Sequence, residues 1–266
     1  VLVSKMVLSN SRFHRAIVVN SGNANACTGT NGHLDALKMI NETADELGVN
    51  ADEVFVASTG VIGEPLPIDK IISGIHSINP SLSETDFTGA VEAIMTTDTF
   101  TKSCSSTFQI NGEEVTIFGM AKGSGMIHPN MATMLGFVMT DAGINKSVFQ
   151  NLLKETTNKT FNRIIVDGDT STNDMVIALA NGASGVAVVP KTESYNIFEE
   201  ELFQVMKKLS IDIVRDGEGA TKVIEIKVEG AFTDEDAVKA ARTIALSPLV
   251  KTAIHGEDAN WGRIIA

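Results

Sequence analysis

The chain has 266 residues, of which 33 are acidic, 21 are basic and 43% are hydrophobic, giving a formal net charge of −12. This composition can bury the core of one large domain or two smaller ones, and it excludes a disordered tail. The negative charge disfavours nucleic acid and anionic membrane surfaces as partners. We expect a cytoplasmic protein, because no apolar run is long enough for a membrane span or a secretory signal and Cys27 and Cys104 form no CxxC pattern.

The first half of the chain combines short strand patterns with one amphipathic helix. β-Branched runs at residues 16–19, 54–56 and 115–118 predict buried strands that lead into loops rich in Gly, Asn or Ser. Residues 34–47 predict a helix that ends at Gly48, which suits a left-handed C-terminal cap. The predicted apolar face of this helix consists of Leu34, Leu37, Ile40, Ala44 and Leu47.

The second half continues the alternation of strands and helices. Residues 164–166 predict a further buried strand, and residues 224–228 predict another because Ile and Val alternate there with Glu and Lys. A last helix is predicted to begin near Thr233, whose hydroxyl can cap the backbone, with Asp236 three residues later. A long helix between these strands has an apolar face made of Phe198, Leu202, Val205, Leu209 and Ile213. The pattern as a whole predicts an α/β fold of layered sheets and helices.

Residues 122–135, KGSGMIHPNMATML, concentrate two glycines, a lysine and a threonine in one loop that leaves a strand. A phosphate-binding loop of the GxxxxGK[ST] type is excluded, because Lys122 precedes the glycines instead of following them. From the residues alone, the loop is a glycine-rich turn between two strands. It is therefore a candidate site whose chemistry the residues alone do not define.

Seven segments, in order along almost the whole chain, carry a resemblance to a known family. They are VVNSGNANACTG (18–29), ASTGVIG (57–63), IMTTDTF (94–100), KGSGMIHPNMATML (122–135), VDGDTSTND (166–174), RDGEGATK (215–222) and GEDANWGRI (256–264). Together they resemble the ornithine acetyltransferase family of arginine biosynthesis, also called glutamate N-acetyltransferase. The resemblance implies a self-cleaving Thr-nucleophile fold of the ornithine acetyltransferase and aminopeptidase DmpA type.

In that family the precursor cleaves itself at the Ala-Thr bond of MATML, which implies scission between Ala132 and Thr133. A hydroxyl after a small residue can attack the preceding carbonyl and convert the amide to an ester that water hydrolyses. Gly123 and Gly125 permit the distorted loop that this attack needs. The cut leaves Thr133 with a free α-amine of pKa about 7.7 to 8.0, which can accept the proton of its own hydroxyl. Residues 1–132 and 133–266 then become separate chains.

The resemblance also assigns an oxyanion site and a substrate site. Thr59 and Gly60 of STGVIG are expected to donate to the negative oxygen of a tetrahedral intermediate. We expect Lys122 to bind a substrate carboxylate and Glu218 to bind the side-chain ammonium of ornithine. The expected substrate-binding positions are Thr96, Lys122, Thr133 and Glu218. Without the resemblance, Thr59 and Gly60 would be interpreted as a strand-to-loop turn. Lys122 would be interpreted as a solvated loop charge, Thr96 as a hydroxyl at a helix end and Glu218 as a turn residue.

Other candidate sites are weaker. Asp167, Asp169 and Asp174 suggest a calcium loop, but the twelve-residue pattern needs Gly and Glu where this chain has Thr172 and Ala178. The five histidines show no HExxH spacing, so we predict no catalytic metal, and we predict no cofactor. Three polar residues near the predicted site have an ordinary loop or turn interpretation beside a functional one: Asn23, Asn25 and His128.

The predicted reaction is a two-step acetyl transfer. N2-acetylornithine acylates Thr133 and releases ornithine, and glutamate then takes the acetyl group to give N-acetylglutamate. Acetyl-CoA stays open as a further donor, because no residue distinguishes that ability. The alternatives are an amidase or aminopeptidase on the same self-cleaving scaffold and a non-enzymatic ligand-binding or structural α/β protein.

The chain differs from the family at both ends. Family members begin upstream of Val1 and continue past Ala266, and their C-terminal extension supplies an Asn and a Ser or Thr to the substrate site. The sequence is therefore expected to be a fragment. By resemblance, the two cleaved pieces stay associated and pair into an (αβ)2 heterotetramer, with only small-molecule substrates as other partners.

Overall fold

The computed structural model describes residues 1–78, 82–83, 85–128 and 134–266. The predicted cleavage pair, Ala132 and Thr133, lies outside these residues. Within them, the helices are α1 (Leu2–Asn10), α2 (Gly29–Leu47), α3 (Ile68–Ile78), α4 (Thr88–Ala93), α5 (Lys146–Lys159), α6 (Glu193–Arg215), α7 (Asp234–Leu246), α8 (Pro248–His255) and α9 (Gly262–Ile265). The strands are β1 (Ala16–Asn23), β2 (Val54–Val61), β3 (Lys102–Ile110), β4 (Glu113–Lys122), β5 (Leu135–Thr140), β6 (Gly143–Ile144), β7 (Met175–Ala180) and β8 (Ala187–Val188).

A four-stranded sheet of order β3-β4-β5-β7 forms the centre of the described part of the chain. The β3-β4 and β4-β5 pairs are antiparallel, whereas β5 and β7 are parallel. Strands β1 and β2 form a separate parallel pair, and β6 pairs with β8. The strands predicted at residues 16–19, 54–56 and 115–118 are confirmed as parts of β1, β2 and β4. The chain is thus mixed α/β, as the sequence predicts.

Each face of the central sheet packs against a different layer. Successive residues of a strand point to opposite faces, so Phe137 packs with β1, β2 and the first helices, whereas Val138 packs with α5 and α6. The result is a layered arrangement in which one sheet separates two hydrophobic cores. This arrangement brings the ends of β2 and β4, which belong to different sheets, to the same region.

Both long predicted helices are present, but the predicted apolar face is fully buried in only one of them. In α6 the five predicted apolar positions are all at most 1% exposed, and the helix packs against β3, β4 and α5. Helix α2 ends at Gly48 with φ +63°, as predicted for a left-handed cap. However, Leu34 and Leu47 of α2 are exposed, because the face of the helix that packs against the core only partly overlaps the predicted apolar face. That buried stripe consists of Ala36, Met39, Ile40, Thr43 and Ala44.

Two predicted strands are absent from the described residues. Residues 164–166 are irregular, with one isolated backbone bond from the Val166 N–H to the Ile127 carbonyl at 2.8 Å. Residues 224–228 pair with no strand that the structure describes, and Ile224 is 40% exposed. The alternation of apolar and polar residues indicates which face of a strand would be buried. A strand also needs a neighbouring strand whose backbone groups form hydrogen bonds with its own. Both predictions were therefore wrong for the described part of the chain.

The last predicted helix is confirmed as α7, where the Thr233 hydroxyl accepts a bond from the Asp236 N–H at 3.1 Å. Among the residues with described positions, no helix is long and apolar enough to cross a membrane.

Candidate active site

Lys122 is the last residue of β4, and its ammonium lies between two threonine hydroxyls from other parts of the chain. Its Nζ is 3.2 Å from the Thr59 Oγ1 at the end of β2 and 2.7 Å from the Thr96 Oγ1 in the turn after α4. The Lys122 side chain is only 2% exposed, whereas Thr96 is exposed. Three of the predicted site residues therefore meet at one point, with a cation at its centre.

A buried ion network supports this cation. Asp98 lies 3.9 Å from the Lys122 Nζ and accepts bonds from the Lys102 Nζ and the Gly123 N–H, each at 2.7 Å. Lys102 is also buried and pairs with Asp216. Burial alone would raise the pKa of Asp98, but Lys102 and the N–H groups around it lower it below its usual range. Asp98 is therefore a carboxylate that fixes the start of the loop after Lys122.

Burial has the opposite consequence for Lys122. It lowers the pKa of the ammonium, while Asp98, Asp174 and Glu218 act to raise it and Lys102 acts to lower it. The ammonium is thus buried away from solvent, and its two hydrogen-bond partners are neutral hydroxyls. Such a cation gains free energy by contacting an anionic group of a ligand.

Thr59 and Gly60 lie near the end of β2, where the Gly60 backbone closely approaches β1. The two strands are parallel, and Gly60 pairs in register with Gly22. Gly60 has φ +129°, and a Cβ on it would lie 2.3 Å from the Gly22 carbonyl carbon. Only glycine fits this position of β2, and the residue before it, Thr59, is buried with its hydroxyl beside the Lys122 ammonium. This arrangement is compatible with the predicted oxyanion donors.

Glu218 approaches the same loop from the segment after α6. Its N–H donates to the Ser124 carbonyl at 2.9 Å, and its Oε1 lies 2.7 Å from where a Cβ on Gly125 would stand. Gly125 therefore leaves room for the carboxylate. Glu218 is exposed and acts electrostatically on Lys122. The structure thus brings together Thr59, Gly60, Thr96, Lys122 and Glu218, whereas Thr133 lies outside the described residues.

Asp174 is a buried carboxyl group that acts electrostatically on Lys122, whereas the sequence suggests it only as a calcium ligand. It immediately precedes β7, and its Oδ1 accepts a bond from the Met134 N–H at 2.9 Å. The residue is 7% exposed, and its Oδ2 is buried with no hydrogen-bond partner among the described residues. The sequence signal that could have drawn attention to it is its place in VDGDTSTND (166–174), one of the seven segments that carry the family resemblance.

A cavity of about 500 Å³ runs along β7 between α1 and α5 and reaches Asp174 at one end. A second cavity of about 290 Å³ is lined by Glu218 and by the segment from Gly219 to Lys222. The Lys122 ammonium lines neither of these cavities. Within the described ranges, no three His, Cys, Asp or Glu side chains form a group that could hold a metal ion.

The fold and these contacts define a mixed α/β protein with a candidate site at the ends of strands from two sheets. A family model for the ArgJ family matches residues 1–266. The chain belongs to the ArgJ family, which confirms the family predicted from the seven segments.

Several relatives carry the name arginine biosynthesis bifunctional protein ArgJ, and two of them illustrate the similarity. The protein from Symbiobacterium thermophilum is 54% identical over 253 residues, which are 95% of this chain and 63% of that protein. The protein from Bacillus thuringiensis subsp. konkukian is 52% identical over 265 residues, which are 99% of this chain and 65% of that protein. The chain therefore spans less than two thirds of the length of these relatives.

Two crystal structures also match part of the chain. An ArgJ protein from Bacillus halodurans is 45% identical, with a TM-score of 0.45 over 49% of this chain and 69% of that one. An ornithine acetyltransferase from Mycobacterium tuberculosis, crystallised with ornithine, is 32% identical, with a TM-score of 0.40 over 48% of this chain and 68% of that one.

Proposed function

We propose that the protein transfers the acetyl group of N2-acetylornithine to glutamate through an acetyl ester on Thr133. It is an acyltransferase of arginine biosynthesis that needs no cofactor. The chain is first cut between Ala132 and Thr133, so that residues 1–132 and 133–266 form two associated pieces of a Thr-nucleophile fold of the DmpA type. Two such pairs form a cytoplasmic (αβ)2 heterotetramer.

The single observation that carries the proposal is the buried Lys122 ammonium between the Thr59 and Thr96 hydroxyls, in a chain of the ArgJ family. Donor and acceptor share an α-carboxylate beside the nitrogen that is acetylated. A single buried cation can therefore hold both substrates in the same orientation toward the nucleophile. Glu218, which approaches the same loop, can bind the side-chain ammonium of ornithine.

The proposed chemistry needs one nucleophile and one set of oxyanion donors. The Thr133 hydroxyl attacks the acetyl carbon, and its proton passes through the free α-amine of Thr133 to the leaving nitrogen of ornithine. Thr59 and Gly60 donate to the negative oxygen in both half-reactions. The glutamate amine then attacks the ester and regenerates the Thr133 hydroxyl. Because both substrates use one ester, the kinetics are ping-pong.

An isotope-exchange experiment on the full-length protein tests this proposal. Acetylornithine labelled in the acetyl group should pass its label to glutamate, and the purified protein should contain a fragment that begins at Thr133. In separate reactions, labelled acetyl-CoA replaces acetylornithine to establish whether it is a second donor. Release of free labelled acetate at a rate independent of glutamate would favour an amidase instead. An intact polypeptide without acetyl transfer would favour a non-enzymatic protein.

Replacing Lys122 with Met should weaken substrate binding more than it weakens folding. The Met side chain is similar in length but lacks the charge, and a hydrogen bond to a charged group contributes about 1.5 to 3 kcal/mol. We therefore expect kcat/KM for acetylornithine to fall by about 10- to 100-fold, with most of the change in KM. Lys159→Met is the matched control, because Lys159 is exposed and forms a surface ion pair with Glu199. Equal kinetics in both variants would contradict the role of Lys122.

A further inference from the structure

Two short segments carry predicted substrate residues near Lys122. The turn after α4 carries Thr96, and the segment after α6 carries Glu218. In the proposed function, the substrate carboxylate binds at Lys122 and the side-chain ammonium of ornithine binds at Glu218. The separation of these two positions then decides which length of side chain the site accepts.

A buried ion network connects the two segments. The Lys102 ammonium bonds to the Asp98 Oδ1 at 2.7 Å and to the Asp216 Oδ2. All three side chains are at most 1% exposed. Asp98 follows Thr96 by two residues. Asp216 stands two residues before Glu218, so one cation connects both segments.

The two carboxylates also bind the turn that carries Thr96. The Asp98 Oδ2 accepts a bond from the Thr96 N–H at 3.1 Å. The Asp216 Oδ2 accepts a bond from the Thr99 N–H at 3.0 Å, and its Oδ1 accepts one from the Thr99 hydroxyl. Asp216 is therefore attached to this turn directly as well as through Lys102.

The backbone of Glu218 is fixed at a second place. Its N–H donates to the Ser124 carbonyl at 2.9 Å, and the Ser124 Oγ is 2.6 Å from the Thr97 Oγ1. Gly217, directly before it, packs so closely that a Cβ there would lie 3.0 Å from the Val166 Cγ1. The backbone is thus held on both sides, whereas the exposed Glu218 side chain can reach a ligand.

The link between the segments is ionic. Burial acts to raise the pKa of Asp98 and Asp216, but Lys102 and the hydrogen bonds around them lower it below its usual range. Both carboxyl groups are therefore ionised near neutral pH. A charge-assisted hydrogen bond is shorter and stronger than a neutral one, so it fixes the distance between the groups that it joins.

Resting on the proposed function, we propose that the buried Lys102–Asp216 pair sets the substrate specificity of the site, by holding Glu218 at a fixed separation from Lys122. The site thereby selects an acetylated amino acid whose side-chain ammonium lies where that of ornithine lies, and it discriminates against longer diamino acids. Lys102 and Asp216 are positioning residues, because both are buried and act through Glu218.

The test compares N2-acetylornithine with N2-acetyllysine as acetyl donors for glutamate, using the full-length protein. Acetyllysine carries one more methylene, so the unaltered protein should prefer acetylornithine by about 10- to 200-fold in kcat/KM. Asp216→Asn keeps an oxygen for Thr99 but loses the charge that Lys102 binds. Its preference should fall to about threefold or less, because KM for acetylornithine rises while kcat/KM for acetyllysine stays nearly constant.

A double-variant cycle tests whether Lys102 and Asp216 act as one unit. Lys102→Met alone leaves the carboxylates of Asp98 and Asp216 without their shared cation, which destabilises the fold. Combining Lys102→Met with Asp216→Asn restores the balance of charge and keeps the variant measurable. The double variant should lose the same preference as Asp216→Asn, whereas independent roles would multiply the two losses.

Lys208→Met is the matched control. Lys208 forms an ion pair with Asp212 on α6, the helix that precedes Asp216, but its side chain is 51% exposed. Asp212 also pairs with Arg215 and so keeps a cation in this variant. The preference for acetylornithine should change by about twofold or less.

The outcomes separate this inference from the proposed function. A loss of kcat/KM by the same factor for both donors in Asp216→Asn would indicate a purely structural role and overturn the inference. An unchanged preference in that variant, or no preference in the unaltered protein, would also overturn it. Glu218→Gln should lose the preference too, and its failure to do so would overturn the assignment of Glu218 in the proposed function. Absence of acetyl transfer from either donor would overturn the proposed function itself.

Discussion

Replacing Thr133 with Ala should leave the full-length protein uncut and remove acetyl transfer from acetylornithine to glutamate. The same hydroxyl is proposed to attack the Ala132 carbonyl once and then the acetyl group in every turnover, so one substitution removes both reactions. Loss of a nucleophile removes most of the catalysis, and we expect the exchange rate to fall by at least about 10⁴-fold. Intact mass and labelled-acetyl exchange on the same preparation measure the two losses.

Thr133→Ser is the control for this substitution. It keeps a hydroxyl in the same position, so scission and exchange should both persist at reduced rates. The Ala variant should unfold at the same temperature as an uncut precursor, because the change removes only a hydroxyl and a methyl group. Acetyl exchange at the normal rate in an uncut Ala variant would exclude Thr133 as the acetyl carrier.

The helices were predictable because their periodicity extends over many residues. In α6 the apolar positions recur at helical spacing from Phe198 to Ile213, and each predicted position is buried. In α2 the spacing predicts the helix and its cap at Gly48, but the buried face also depends on which neighbours the helix meets. Ile40 and Ala44 of the predicted face are buried, whereas Leu34 and Leu47 at its two ends are exposed.

The strands at residues 164–166 and 224–228 show what local pattern cannot provide. The hydrophobic pattern describes the side chains, whereas a strand exists only when its N–H and carbonyl groups meet a partner. Strands β1 and β2 have that partner in each other, and the same kind of apolar run there was predicted correctly. Strand pairing depends on residues far apart in the sequence. Similar local patterns therefore form a strand in one place and no strand in another.

The candidate site could be predicted in its residues but not in its contacts. The family resemblance supplied Thr59, Thr96 and Lys122, which come from two sheets and a turn far apart in sequence. Nothing in the spacing of these residues indicates that one buried ammonium joins the two hydroxyls. Asp174 was missed for the same reason, because its bond to Met134 depends on the register of β5 against β7.

Replacing Gly60 with Ala should damage both stability and activity, because the new methyl group would enter the backbone of β1. It would lie 2.3 Å from the Gly22 carbonyl carbon and 2.7 Å from the Asn23 nitrogen, distances that side-chain rotation cannot relieve. The φ of +129° adds strain of about 1 to 3 kcal/mol. We expect a total loss of roughly 3 to 5 kcal/mol and a fall in melting temperature of roughly 6 to 15 °C.

Gly63→Ala separates the collision from the backbone strain. Gly63 lies three residues later with φ +86°, but a Cβ there would meet no atom within 4 Å. The free energy of unfolding of Gly63→Ala should therefore fall only by the backbone strain, and this variant should melt at a clearly higher temperature than Gly60→Ala. If the Gly60 N–H is an oxyanion donor, as proposed, its displacement should also lower acetyl exchange in Gly60→Ala by about 10²- to 10³-fold. Equal melting temperatures and equal rates of acetyl exchange in the two variants would contradict this prediction. In that case the close approach of β2 to β1 would not position the proposed donors Thr59 and Gly60.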